Sequence, residues 1–113
     1  MTRSRSLDDA EIARLFAELV NMPADELEAW LETAESRRVG WKPNGGESVG
    51  HASGRRVAEI LRKPEGERDE ADRRHMRKVV GFIRRHRRQE PANILTSRWR
   101  WSLMNWGHDP LNG

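Results

Sequence analysis

The chain has no cysteine. Disulfide frameworks, thiolate zinc sites and cysteine nucleophiles are therefore excluded. No apolar run approaches the roughly 20 residues of a membrane span, and the opening MTRSRSLDDAEIARLF lacks the continuous apolar segment of a signal peptide. The expectation is a soluble, cytoplasmic protein with no membrane association. Apolar residues make up only 35% of the 113 positions, matched by 35% charged ones. That balance implies a modest core, helices packed along narrow apolar stripes and no large enclosed pocket. No repeat of fixed period and no low-complexity segment is present.

Catalytic and metal signatures are missing as well. None of the histidines (His51, His75, His86, His108) forms an HxxxH pair, and His75 and His86 fall about 16 Å apart along one helix at 1.5 Å per residue. A site assembled across the fold from His51, His108 and Asp109 stays open, with ordinary hydrogen-bonded histidines favoured. Ser53 near His51 has no recognised elbow and no third partner. GGESVG lacks the Gly-Lys-Ser/Thr ending of a phosphate-binding loop. Acidic pairs such as Asp8-Asp9 and Asp25-Glu26 stand at helix starts, where capping accounts for them. No enzyme activity, no cofactor and no metal are expected.

What the chain does have is charge, unevenly placed. Residues 1–50 carry six Lys/Arg and ten Asp/Glu, net −4, and residues 51–113 carry fifteen and eight, net +7. A basic second half suggests an anionic partner, most commonly nucleic acid. Eighteen of the twenty-one basic residues are arginine, a bias that a GC-rich genome also produces without any role in phosphate binding.

Hydrophobic periodicity predicts an all-α, bundle-like single domain of about five helices over residues 6–113, preceded by a flexible tail at 1–5. Ser6 is read as the cap of a helix over Leu7 to Val20, with Ile12, Leu15, Phe16, Leu19 and Val20 on one stripe. Pro23 starts a second helix, to Ser36, with Leu27, Trp30, Leu31 and Ala34 on its inner face and an acidic outer side. The short turn between them predicts a hairpin. A Gly- and Pro-rich loop follows, Arg37 to Gly50, in which Trp41 is read first as a core anchor and second as a base-stacking residue.

The stretch Trp41 to Leu61 loosens through Gly45, Gly46, Gly50 and Gly54 into a helix placed at Ser53 to Arg62, its start falling anywhere from Ser48 to Ser53. Such a start can seat an anion, with Arg55 and Arg56 supplying charge. The next helix, Asp69 to Arg88, buries Met76, Val79, Val80 and Ile83. Arg73, Arg77, Arg84 and Arg88 occupy the adjacent arc, continued by Arg74, Lys78 and Arg85. Gly81 projects into that basic arc, which suggests close approach by another helix or by a phosphodiester backbone. A tryptophan-rich C-terminal helix, Ser97 to Trp106, should turn Trp99, Leu103 and Trp106 inward and stop at Gly107. With these three, Trp30, Leu15, Phe16, Leu19, Leu27, Leu31, Ile60, Leu61, Met76, Val79, Val80 and Ile83 form the expected core.

The strings VNMPADELEAWLETAES, ESVGHASGRRVAEIL, MRKVVGFIRRH and SRWRWSLMNWGHDP together resemble a family of small uncharacterised bacterial and fungal proteins, a domain of unknown function. The resemblance covers roughly Leu15 to Leu111. It implies no catalytic or binding residues. Some members have been labelled DNA-binding, and Gly50, His51, Ser53, Gly54, Arg55, Trp106, Gly107, His108, Asp109 and Pro110 are positions of unknown role in the matching motifs.

Two functions are carried forward. The first is backbone-dominated binding of DNA or RNA by Arg55, Arg56, Arg73, Arg74, Arg77, Lys78, Arg84, Arg85 and Arg88, set against internal pairing of the basic helix with the acidic helix Pro23 to Ser36. The second is a protein-interaction or self-associating module using Trp101 and Met104. His51, Ser53 and Gly54 are further expected to dock the turn Trp106 to Asp109.

Overall fold

Six α-helices and two short 3₁₀ turns, with no strand, make up residues 7–112, the part of the chain described by this computed structural model. The all-α expectation is met, with one helix more than the sequence suggests. The helices are α1 (Asp9–Leu19), α2 (Ala24–Leu31), α3 (Ala34–Arg38), α4 (Val49–Arg62), α5 (Glu70–His86) and α6 (Arg98–Asn105). The tail at 1–5 and the Ser6 cap lie outside the described residues.

Capping explains most of the boundaries. Asp8 caps α1 in a reciprocal box with Glu11, at 2.8 and 2.9 Å. Thr33 accepts from the Ser36 N–H at 3.1 Å and so starts a separate α3, which divides the predicted second helix at Leu31. Ser48 caps α4 through the His51 N–H at 3.0 Å, so Gly50, His51, Ser53 and Gly54 all lie within the helix, which begins ahead of the expected Ser53 start. Asp69 and Asp72 form a second capping box at the head of α5. Ser97 caps α6, and Gly107, at φ 91°, ends it as predicted. There the His108 N–H reaches Leu103 O at 3.0 Å and the Gly107 N–H reaches Met104 O at 2.9 Å, the paired bonds of a left-handed stop.

The first two helices do not pair as the expected hairpin. The main packing partner of α1 is α5, and that of α2 is α4. The chain turns at Asn21-Met22-Pro23, where Met22 is buried and draws the connection inward. Leu27, Val57, Ile60, Val79, Ile83 and Leu103 are fully buried at the centre. Burial contributes about 1.5–3 kcal/mol for each such side chain. Trp30, Leu15, Leu61 and Trp99 are only half-buried, packed against that centre. Val39 and Ala58, which the periodicity does not mark, are buried.

The closest approach joins α4 to the end of α6. A Cβ on Gly54 would lie 2.4 Å from Asn105 O and 2.7 Å from Leu31 Cδ2, and one on Gly50 would lie 2.9 Å from Trp106 Nε1. Only glycine permits this. The predicted docking of the two motif strings is therefore found, and it is carried by Gly50 and Gly54 at i, i+4 rather than by His51 and Ser53. Gly81 is different. A Cβ there meets only the Arg85 guanidinium of its own helix, at 3.2 Å, so neither another helix nor a backbone approaches it.

The two mid-helix glycines should respond oppositely to alanine. Gly54→Ala gains helix propensity but clashes with backbone, and overpacking of that kind typically costs about 1–3 kcal/mol. Gly81→Ala displaces only a flexible exposed side chain and should stabilise by up to about 1 kcal/mol. Thermal and urea unfolding of the two variants checks this, and a stabilised Gly54→Ala protein would contradict the packing described.

Candidate functional site

The basic helix α5 lies with its apolar stripe against α1 and the core, leaving one broad basic arc outward. The arc is electrostatically divided along its length. Toward its start the cations have partners: Arg73 and Arg77 lie 3.7 and 3.5 Å from Asp9, and Arg74 lies 3.5 Å from Glu70. These are exposed pairs, of the kind that contributes about 0–1 kcal/mol. Among the described residues, Lys78, Arg84, Arg85, Arg87 and Arg88 form no ion pair and no side-chain hydrogen bond. The acidic helix α2 does not neutralise this face. Its Glu28 receives Arg62 of α4 in a two-pronged pair at 3.1 and 2.5 Å.

Arg55 and Arg56 are placed elsewhere. Arg55 grips Glu47 at 2.8 and 2.6 Å, and the same carboxylate meets His51 Nδ1 at 2.5 Å. The chain's own carboxylate thus occupies the predicted anion seat at the head of α4. Arg55 and His51 hold the Glu47 carboxyl well below its ordinary range, at about 2. Arg56 reaches across to the fully buried Asp72, 2.8 Å from Oδ1 but off the line of a hydrogen bond, while Lys63 donates to Asp72 Oδ2 at 2.6 Å. Lys63 foremost, with the Asp69 N–H and Arg56, keeps Asp72 ionised against the cost of burial.

The remaining motif residues serve the fold. His51 Nε2 faces Leu31 O at 2.8 Å, and Ser53 is paired with His75 Nε2 at 2.9 Å. His108 Nδ1 donates to Leu19 O at 2.6 Å. Asn21 exchanges two hydrogen bonds with the Asp109 backbone, at 3.0 and 2.8 Å, and Arg100 clamps the Asp109 carboxylate at 3.0 and 2.9 Å. His51 and His108 thus have separate partners. Among the described residues no group of three or more His, Asp or Glu side chains is arranged to hold a metal ion, and no helix is long and apolar enough to cross a membrane.

Two concavities flank the unpaired cations. Arg84, Arg87 and Arg88 line an open hollow of about 580 Å³ beside Trp99 and His108, with Glu18 and Glu90 also on its walls. On the other flank Lys78 and Arg85 border a cleft of about 420 Å³ walled by Phe82 and Trp106 and mouthed by Trp41. Phe82 stacks on Trp106 with ring centres 4.3 Å apart and on His86 at 4.9 Å, and His86 faces Trp99 at 6.4 Å. Trp41 is 73% exposed, so it is not the core anchor favoured from its sequence context. Trp101 and Met104 are half-buried, and among the described residues the exposed large apolar side chains are Trp41, Leu95 and Leu111. Arg87 and the Phe82–Trp106 wall are additions that the sequence does not single out. Arg87 falls near the edge of the apolar stripe on a helical projection, and it escapes burial because α5 gives way to a 3₁₀ turn there.

Titration follows from these contacts. Burial pushes His75, His86 and His108 below the ordinary histidine value of 6.5, with Arg56 and Lys78 adding to the effect at His75. Their neutral forms favour the fold, so this stability is present above pH 6.5 and is lost as pH falls through the lowered values. Glu47 and Asp72, both depressed, add losses that begin below their ordinary values of 4.5 and 3.8. The melting temperature should therefore fall in two stages on acidification. His108→Gln should flatten the first stage and Glu47→Gln the second, as read by thermal melts from pH 8 to about 2.5.

No curated protein and no solved structure matches the chain. The sequence model of one family matches residues 15–104, a span that runs from within α1 through most of α6 and includes Gly50 and Gly54. The chain belongs to that family, described as protein of unknown function (DUF3140).

Proposed function

We propose that the protein binds nucleic acid through its phosphate backbone, using the C-terminal half of α5. One observation carries this reading: Lys78, Arg84 and Arg85 on α5, with Arg87 and Arg88 on the 3₁₀ turn that follows it, are all exposed and have no partner among the described residues. A cluster of unneutralised cations on a rigid helix matches a line of phosphates, and phosphate contacts position a protein without reading sequence. The helix dipole makes the cluster tolerable to the fold, since cations are favoured at a helix C-terminus. Arg55, Arg56, Arg73, Arg74 and Arg77 are secondary on this reading, because each already faces a carboxylate.

Fluorescence anisotropy with labelled nucleic acid, titrated with salt from 50 to 300 mM, is the test. With about five phosphate contacts the logarithm of affinity should fall against the logarithm of salt with a slope of roughly 3–5. Replacing Arg84, Arg85, Arg87 and Arg88 together by Glu should weaken binding at least about a hundredfold at low salt, because each substitution removes a cation and sets a carboxylate against the phosphates. Replacing Arg73 and Arg77 by Gln should change it far less. Absent or salt-independent binding by the parent protein would falsify the proposal.

A further inference from the structure

We infer that the cleft between α4, α5 and α6 receives an unstacked base of a single-stranded nucleic acid, a reading that rests on the phosphate-binding function proposed above and names the form of nucleic acid the site suits. The cleft has the three components such a unit needs. Its mouth is Trp41, 73% exposed, and its inner wall is the stacked pair Phe82 and Trp106. Aromatic faces accept any base, because every base offers a π-face.

Three polar groups in the cleft are unused, while the Asn105 amide is taken up by Trp30 and Ser36. Among the described residues the Trp106 indole N–H and the Ser102 hydroxyl make no hydrogen bond, and His86 Nε2 is buried without a partner. Buried polar atoms are normally satisfied, so His86 Nε2 is the one that calls for a ligand with a donor or acceptor at its edge, while the Trp106 N–H and the Ser102 hydroxyl are open to solvent and free to bond it. Burial holds His86 neutral, and a neutral ring nitrogen can donate to a base edge or accept from it according to tautomer. The rim supplies the third component. Lys78 and Arg85 are both unpaired, and they continue the cation arc directly to the cleft mouth.

A duplex suits this site poorly, because its bases are held in the stack and a concave cleft beside a flat arc meets only its backbone. An apolar peptide suits it poorly too, since it would desolvate two cations without neutralising them. A strand with flexible backbone satisfies both parts at once, with phosphates along Lys78, Arg85 and the arginines and a base against the tryptophans.

The experiment compares a labelled oligothymidylate with a mixed-sequence duplex in anisotropy titrations, each repeated across a series of salt concentrations matched between the two probes. The parent protein should prefer the strand. Trp41→Ala should lose on the order of tenfold in affinity for the strand with its salt slope and its duplex affinity unchanged, and Trp41→Phe should recover most of the loss. Trp41 is exposed, so neither variant threatens the fold, and unchanged melting temperatures would verify that. Equal strand binding by Trp41→Ala and the parent would overturn the inference while leaving the phosphate reading intact, as would equal weakening on both probes. Free thymidine monophosphate competing as well as the oligomer, nucleotide for nucleotide, would overturn the strand in favour of a mononucleotide. A parent protein that binds neither probe would remove the phosphate reading, and this inference with it.

Discussion

The contact between Gly54 of α4 and Asn105 at the end of α6 is the constraint from which the rest of the structure follows. With no Cβ on Gly54, the Asn105 carbonyl approaches the α4 backbone directly, which places the Asn105 side chain in the interior. There its Oδ1 accepts from Trp30 Nε1 at 2.8 Å and from Ser36 Oγ at 2.5 Å, and its Nδ2 donates to Ser36 O at 3.0 Å. One amide thereby joins α2, α3 and α6 over a glycine of α4. A buried polar group with all these partners fixes a single arrangement, whereas the same group shifted by an ångström would be an unpaired one. The C-terminal turn depends on it next: Gly107 packs against Val20 and Val57 two residues later, and His108 and Asp109 then reach back to Leu19 and Asn21.

The same geometry frees one side of α5. With α2 drawn to α4 and its Glu28 taken by Arg62, no acidic helix remains to cover the C-terminal half of α5. Asp72 at the opposite end collects Lys63 and Arg56, so the compensated charge gathers at the head of the helix and the uncompensated charge at its tail. This polarity agrees with the helix dipole at both ends. The tail arginines therefore add little to stability through contacts of their own, which is why their removal separates binding from folding.

Local chemistry is legible in the sequence, and the pairing of distant elements is not. The Gly107 stop, the α5 stripe and its basic arc can all be read because each depends on residues within a turn or two of one another. The start of α4 falls at the early end of the Ser48 to Ser53 range that the sequence allows, ahead of the Ser53 placement, for a physical reason. Gly50 and Gly54 cost a helix about 1 kcal/mol each and look like loop, and only a neighbour near enough to need their missing side chains offsets that cost. Thr33 is similarly hidden, because a cap inside a run of good helix formers competes with continuation and the outcome turns on Ser36 meeting Asn105. The hairpin expectation fails at Met22, whose burial redirects the chain at a turn short enough to suggest direct pairing. Of the candidate site, the cations are legible and their division into paired and unpaired sets is not, since Asp9, Glu47 and Asp72 lie in other elements or across a loop.

The cleft links the packing constraint to the proposed site. Its floor is the Gly50 backbone, against which the Nε1 edge of the Trp106 indole packs while a face of the ring meets Phe82, 12° from parallel. A side chain at Gly50 would displace the indole. On α5, Phe82 follows Lys78 by one turn and precedes Arg85 by three residues, so the aromatic wall and the cationic rim share a rigid element and cannot drift apart. Trp41 alone comes from a loop, fixed through its backbone carbonyl to the Val49 N–H at 2.9 Å while its ring stays in solvent. The arrangement is therefore a preformed wall and rim with one adjustable face. Such a division suits a flexible ligand, because the ordering cost on binding falls on a single loop side chain while the groups that set charge and shape are already in place.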